Sequence, residues 1–316
     1  MAQTPAYIES VVAVTPAPDL GRDVYTNANP LDVQAGARSL RGSILVSQSI
    51  SAASATVPAS SHHVTSSQSS FLHPTAARGK LVYRVERTAD GRRYATRTVR
   101  AEQGGTLVYL ATLSFQNYGG GDSSSSGNNV LTYGLPMPDL GGSGPDDVDK
   151  DAMQAMQSGM VARGGSITQI RADDSSLDWR PLGLEMAEDP SQFRLRGFVR
   201  SPHPLSAAAG PAGAHLAAFG FASDEMSVGP ALAASPRPTA RGFQNVALLA
   251  SLTHNVSFHE PGAPIDDWVV LERDTTWGAH GWVLTSQRMW DLKSGRLVMT
   301  VSQEALILLK PKKAKM

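Results

Sequence analysis

The sequence predicts an α+β protein made of two similar domains, each a curled antiparallel sheet wrapped around a central helix. Three observations carry this. A segment rich in Ala and Ser, SILVSQSISAASATVP from Ser43 to Pro58, precedes a run of alternating strands. A second small-residue segment, HLAAFGFAS from His215 to Ser223, precedes another such run. Between the runs, Phe71 matches Phe258, Glu86 matches Glu272, Arg87 matches Arg273 and Leu107 matches Leu297 at a nearly constant separation. A two-member repeat of this length is two domains packed together with their sheets joined, not a solenoid.

In chain order, residues 1 to about 20 read as a loosely held lead-in with one short strand at Tyr7 to Val14. Gly21 to Leu40, with its Asn27-Ala28-Asn29-Pro30 cluster, reads as loop. The Ser43 segment reads as a helix whose Ala and Ser faces let it sit close to a sheet, closed by Pro58. Strands follow. SQSSFLHP, then GKLVYRVERTAD with Leu81, Tyr83 and Val85 alternating against polar neighbours, then RRYATRTVRAEQ and TLVYLATLSFQ form a meander through Asp90-Gly91 and Gly104-Gly105. GGGDSSSSGNN and GGSG, between Gly119 and Gly144, read as flexible linker. Met153, Met156 and Met160 share one side of a short helical pattern, a packing stripe rather than a cofactor site. Strand-like pieces surround Trp179 and run from Phe193 to Val199. VALLASLTHNVSFHEP is a strand pair or one long strand, DDWVVLERDTT matches KLVYRVERTAD, and two further strands turn at Ser294-Gly295. The boundaries expected are 1–118 for the first domain, 119–159 for the linker, 160–310 for the second domain and 311–316 for a tail.

The 316 residues carry 28 basic and 28 acidic side chains, so no global field draws in nucleic acid or an anionic membrane. There is no cysteine, which excludes disulfides, thiolate metal sites and a cysteine nucleophile. No run has the length of a transmembrane helix, and MAQTPAYIESVVAVTPAPD lacks the charged start and apolar centre of a secretory signal, so a soluble, intracellular protein without membrane insertion is expected. Ala314-Lys315-Met316, after Lys310, Lys312 and Lys313, has the small-basic-apolar order read by the peroxisomal import receptor. A frayed basic tail and a cytoplasmic location are the alternative.

In the first half, Arg41-Gly42 with Ser47-Gln48, SSFLHP, VERTADGRRYATRTVRAEQGG and TLVYLATLSFQ ending at Gln116 stand in order. In the second half stand ASD at 222–224, ASLTHNVSFHEP from Ala250 to Pro261, WVVLER and TVSQE at 300–304. In this order and spacing the chain resembles the acyl-CoA thioesterases of the bacterial thioesterase II and peroxisomal type, built from two tandem hotdog domains. The resemblance implies a double hotdog, hydrolysis of an acyl-CoA substrate to free acid and CoA, and association of double hotdogs into a homo-oligomer. It implies a catalytic set of Asp224, Ser251 and Gln303, all in the second hotdog. The chain departs from the family where many members carry Gly-Gly-Gln and this one has Gly42-Ser43-Ile44. Thr253 also stands where Asp is common, and Ser257 replaces an aromatic. These departures bear on specificity.

Those residue types suit the reaction. A thioester has a good leaving group, so a water held in line and partly deprotonated suffices. Asp224 would be the general base, better matched if partial burial raises its pKa. Ser251 and Gln303 would orient the water without competing for its proton. Backbone N–H groups near Gly42, at the start of the first central helix, are the oxyanion candidates. His254 is expected to hydrogen-bond locally and His259 to sit in a turn before Pro261, since neither has a metal-ligand spacing; His62 and His63 read as loop residues. Arg22, Arg38, Arg41, Lys80 and Arg241 are possible contacts for CoA phosphates. No GxSxG, GxGxxG or Walker loop is present, so no serine elbow, nucleotide cofactor or metal is expected. Two rivals remain: a non-catalytic acyl-CoA-binding protein, and a thioesterase releasing a specialised acyl or polyketide product.

Overall fold

The computed structural model describes residues 7–31, 39–76, 78–118, 131–148, 176–185, 188–206, 211–235 and 245–311. Its centre is two helices, α2 (Gly42–Ser54) and α3 (Pro211–Asp224), packed on each other; α1 is the short helix Tyr7–Val12. Burial on every side explains their composition. In α2 the residues Ser43 to Ile50, Ala52 and Ala53 are all buried, which only small polar and aliphatic side chains permit inside a wrapped sheet. The helices meet at Gly220, where a Cβ would lie 2.5 Å from Ile50 Cδ1 and 3.5 Å from Val46 Cγ1. Gly220→Val is expected to lower stability by about 1–3 kcal/mol through overpacking, read as a fall in the urea midpoint with unchanged slope.

Twelve strands wrap these helices. The first half supplies β1 (Val14–Pro16), β2 (Val24–Asn27), β3 (His62–Phe71), β4 (Leu81–Asp90), β5 (Tyr94–Gln103) and β6 (Thr106–Asn117). The second supplies β7 (Asp178–Glu185), β8 (Arg194–Arg200), β9 (Val246–Phe258), β10 (Val269–Ala279), β11 (Trp282–Asp291) and β12 (Leu297–Leu309). They form one sheet in the order β1-β2-β4-β5-β6-β3-β9-β12-β11-β10-β8-β7, which is the same sequence of roles read inward from each end. The join is antiparallel between β3 and β9, with Gln68 opposite Asn255 and Ser69 opposite His254. Gln68 and Asn255 are separated by the repeat offset that also relates Phe71 to Phe258, so a pseudo-twofold axis passes between them. One continuous core, including Ile44, Leu45, Phe115, Phe219, Val256 and Met299, spans both halves. The curled antiparallel sheet around central helices is the double hotdog that the sequence predicted.

Several elements differ from the sequence reading. Tyr7 to Val12 is a helix rather than a strand, because Ile8, Val11 and Val12 fall on one face and bury against the core. Glu9 anchors it, its Oε1 accepting from the Ser206 N–H and hydroxyl, each at 2.8 Å. Val24 to Asn27, read as loop, pairs with β4. Four residues are too few to show a period. His62 and His63 open β3 rather than sitting in a loop. VALLASLTHNVSF is one strand, bulged where Ser251 and Thr253 meet Ala305 and Glu304. Of the segment expected as linker, residues 131–148 are described. Met137, Leu140 and Val148 there pack against Phe198, Val270 and Trp290, and Trp290 Nε1 donates to Leu135 O at 2.9 Å. The methionine stripe at 153–160 and Ala314-Lys315-Met316 lie outside the described residues.

Candidate active site

The site forms where the end of α3 meets the start of α2 and the inner faces of β9 and β12. Asp224 ends α3 and Gly42 begins α2. Gln303 lies opposite His254 on β9, and its 1 % exposure places the amide under the helix ends. Its Nε2 donates to Asp224 Oδ1 at 2.8 Å and to Ser251 Oγ at 2.9 Å. One amide group therefore ties together a carboxylate from a helix and a hydroxyl from the neighbouring strand. Because Ser251 Oγ accepts from Gln303, its own proton is free to be donated. Gln303 Oε1 is buried without a hydrogen-bond partner among the described residues.

Gly42 is held against the same carboxylate. A Cβ there would lie 2.7 Å from Asp224 Oδ2 and 2.8 Å from the Phe71 ring, so this close approach requires glycine. The structure thus brings all four residues singled out in the sequence, Gly42, Asp224, Ser251 and Gln303, to one place. Burial pushes the Asp224 pKa from its ordinary 3.8 up to about 6. The Gln303 amide opposes that rise, Glu225 adds to it, and the Arg273 charge and the Ser43 backbone N–H oppose it. A carboxylate with a pKa near neutrality is suited to accept a proton.

Neighbouring residues missed in the sequence complete the site. Glu225 Oε1 accepts from Ser43 Oγ at 2.8 Å and Glu225 Oε2 from Arg41 Nη1 at 3.1 Å, so this carboxylate clamps the start of α2 to the end of α3. Arg41, a candidate phosphate contact in the sequence, also stacks on Phe221 with its Cζ 5.4 Å from the ring centre. The only signal for Glu225 was its adjacency to Asp224. Arg38 and Arg241 lie outside the described residues. His254 is not bonded locally: its Nε2 lies 2.9 Å from Ser223 Oγ on α3, and Ser69 Oγ donates to its carbonyl at 2.7 Å. Full burial lowers its pKa to about 4, so it stays neutral and fastens β9 to α3 and β3. His259 Nε2 pairs with Thr300 Oγ1 at 3.1 Å, beyond the end of β9.

Among the described residues, the first half holds no equivalent of this site. Its ladder places Val64 opposite Phe115 and Ser67 opposite Leu113, as Ser251 lies opposite Ala305 and His254 opposite Gln303. Val64 and Leu113, both buried, therefore occupy the positions of Ser251 and Gln303. Two apolar side chains cannot orient a water.

Comparisons with known proteins agree with this architecture. Residues 145–307 match the acyl-CoA thioesterase C-terminal domain family, and residues 30–116 match the acyl-CoA thioesterase N-terminal domain family. The chain is 24 % identical over 287 residues to acyl-coenzyme A thioesterase 8 from Homo sapiens, covering 87 % of this chain and 82 % of that protein. Among solved structures it is similar to an acyl-CoA thioesterase II, TesB2, from Mycobacterium marinum, with a TM-score of 0.69, 22 % identity, and 97 % of this chain and 100 % of that one covered. It is also similar to a tesB protein from Mycobacterium avium subs paratuberculosis, with a TM-score of 0.70, 20 % identity and 95 % and 98 % coverage. With both halves matched in order by the two domain families, the chain belongs to the acyl-CoA thioesterase family.

Proposed function

We propose that the chain hydrolyses acyl-CoA thioesters to a carboxylic acid and CoA, with Asp224 as general base toward a water that Ser251 and Gln303 orient. The observation that carries this reading is the double donation from Gln303 Nε2, which presents the carboxylate and hydroxyl to one point. Membership of the family supports the reaction. In the step proposed, the water oxygen bonds to the thioester carbonyl carbon as its proton passes to Asp224. The carbonyl becomes an oxyanion, for which the Gly42 backbone N–H, at the positive end of α2, is the candidate donor. Collapse breaks the C–S bond, and the CoA thiolate takes up the proton from Asp224.

Release of free thiol from a panel of acyl-CoAs of different chain lengths tests the reading. Turnover on ordinary fatty acyl-CoAs is expected. Binding without turnover would leave a non-catalytic acyl-CoA-binding protein, and turnover confined to unusual acyl groups would favour a biosynthetic thioesterase, for which the Gly42-Ser43-Ile44 departure is the argument.

A peroxisomal location is part of the proposal, supported by Ala314-Lys315-Met316. Deleting these three residues is expected to shift a fluorescent fusion from peroxisomes to cytosol; identical peroxisomal distribution would contradict it. Homo-oligomerisation is proposed on the family resemblance, and a monomer mass by light scattering would count against it.

A further inference from the structure

We propose that Arg273 is a positioning residue of this site, holding the last turn of α3 and supplying the fixed positive charge that keeps Asp224 a carboxylate. The inference rests on Asp224 being the base.

Arg273 lies on β10 and is 1 % exposed. Its Nη2 donates at 3.2 Å to the carbonyl of Ala222, two residues before Asp224, and its Nε donates to Gln287 Oε1. The guanidinium also faces Trp179, its Cζ 5.2 Å from the ring centre. All of these partners are neutral, and no described residue forms an ion pair with it. A buried charge is normally paired, because desolvation otherwise penalises it heavily.

The first half sharpens the point. Its position matching Arg273 is Arg87, which is exposed and paired with Asp23 at 2.7 Å. The buried guanidinium of that half is Arg97, which reaches Thr56, just past α2, and is neutralised by Asp90 at 2.6 Å. Both halves thus brace the end of the central helix with a buried arginine. Only the half carrying the site leaves that charge without an adjacent counterion, so its field falls on Asp224 and Glu225. The groups around Asp224 are Glu225 in the turn just after its helix, Arg273 on β10, Gln303 on β12, Ser251 on β9, Tyr109 on β6 and the Ser43 N–H on α2, with Arg41 acting through Glu225. Arg273 is the cation among them that no carboxylate occupies.

The test is the pH dependence of kcat/KM for thiol release by the full chain, its Arg273→Met, Arg273→Gln and Arg273→Lys variants, and Asp224→Asn, with a thermal midpoint for each. Arg273→Met and Arg273→Gln are expected to shift the acid limb to higher pH, the direction that loss of an opposite charge gives. Arg273→Lys should keep the wild-type limb while its plateau falls through loss of the Ala222 contact. If the Met variant does not fold, Gln against Lys makes the same comparison. Limbs that coincide between charged and neutral variants would overturn the inference, whatever the plateau does. In that case an inactive Asp224→Asn leaves the base assignment standing; a fully active Asp224→Asn would remove both.

Discussion

Asp224→Asn is expected to lower kcat for acyl-CoA hydrolysis by about 10²- to 10⁴-fold, the range for loss of a positioned general base, without loss of the fold. The asparagine keeps an oxygen for the Gln303 amide but cannot take a proton. Its thermal midpoint at pH 7 should equal or exceed that of the wild type. The reason is the raised pKa of Asp224, about 6 when folded against an ordinary 3.8. A group shifted this way adds stability that is complete below about pH 3.8 and lost as pH rises through about 6. At pH 7 the wild type carries the burial cost of the charge and the asparagine does not. Inactivity combined with a lower midpoint would point to a structural role instead.

Gln303→Ala should lower kcat by about 10²-fold, the scale for losing one preorganised hydrogen-bond donor in an active site. The side chain is buried and serves Asp224 and Ser251 together, so truncation uncouples both. Two polar atoms lose their partner, which costs stability on the order of 1–3 kcal/mol for each one left unsatisfied. The amide also lowers the Asp224 pKa, so its removal should move the acid limb of the rate profile upward. Activity and urea midpoint measured on one preparation separate these effects. A variant that lost stability but kept wild-type kcat would remove Gln303 from the chemistry.

The two central helices were legible through their small-residue composition, which burial on every side requires, and most of the long strands through alternation, because each element appears twice in the chain. The repeat implied that the two sheets join, but not that the join runs between β3 and β9, which the structure supplies. Short pieces were not legible: β2 and α1 span too few residues for any period, and their place is decided by a sheet edge and a buried face supplied elsewhere in the chain. The site divides in the same way. Asp224, Ser251 and Gln303 were reached through a family resemblance, which orders residues along the chain. Ser43, Glu225 and Arg273 were missed because their roles arise where α2 meets α3 and where β10 passes beneath, contacts between distant parts of the chain. The strand ladders of the two halves show the rest: Val64 and Leu113 stand where Ser251 and Gln303 stand, and so among the described residues the duplication built one site rather than two.

The most direct measurement is thiol release by the wild type and by Asp224→Asn across pH 4.5 to 8, on one acyl-CoA that the wild type turns over. Because the base must be ionised, wild-type kcat/KM is predicted to fall as pH drops through about 6, the folded pKa of Asp224. The asparagine variant is predicted to be slower by at least about 10²-fold and to lack that limb. An asparagine variant with wild-type turnover and the same acid limb would contradict the assignment of the chemistry to the second-half site.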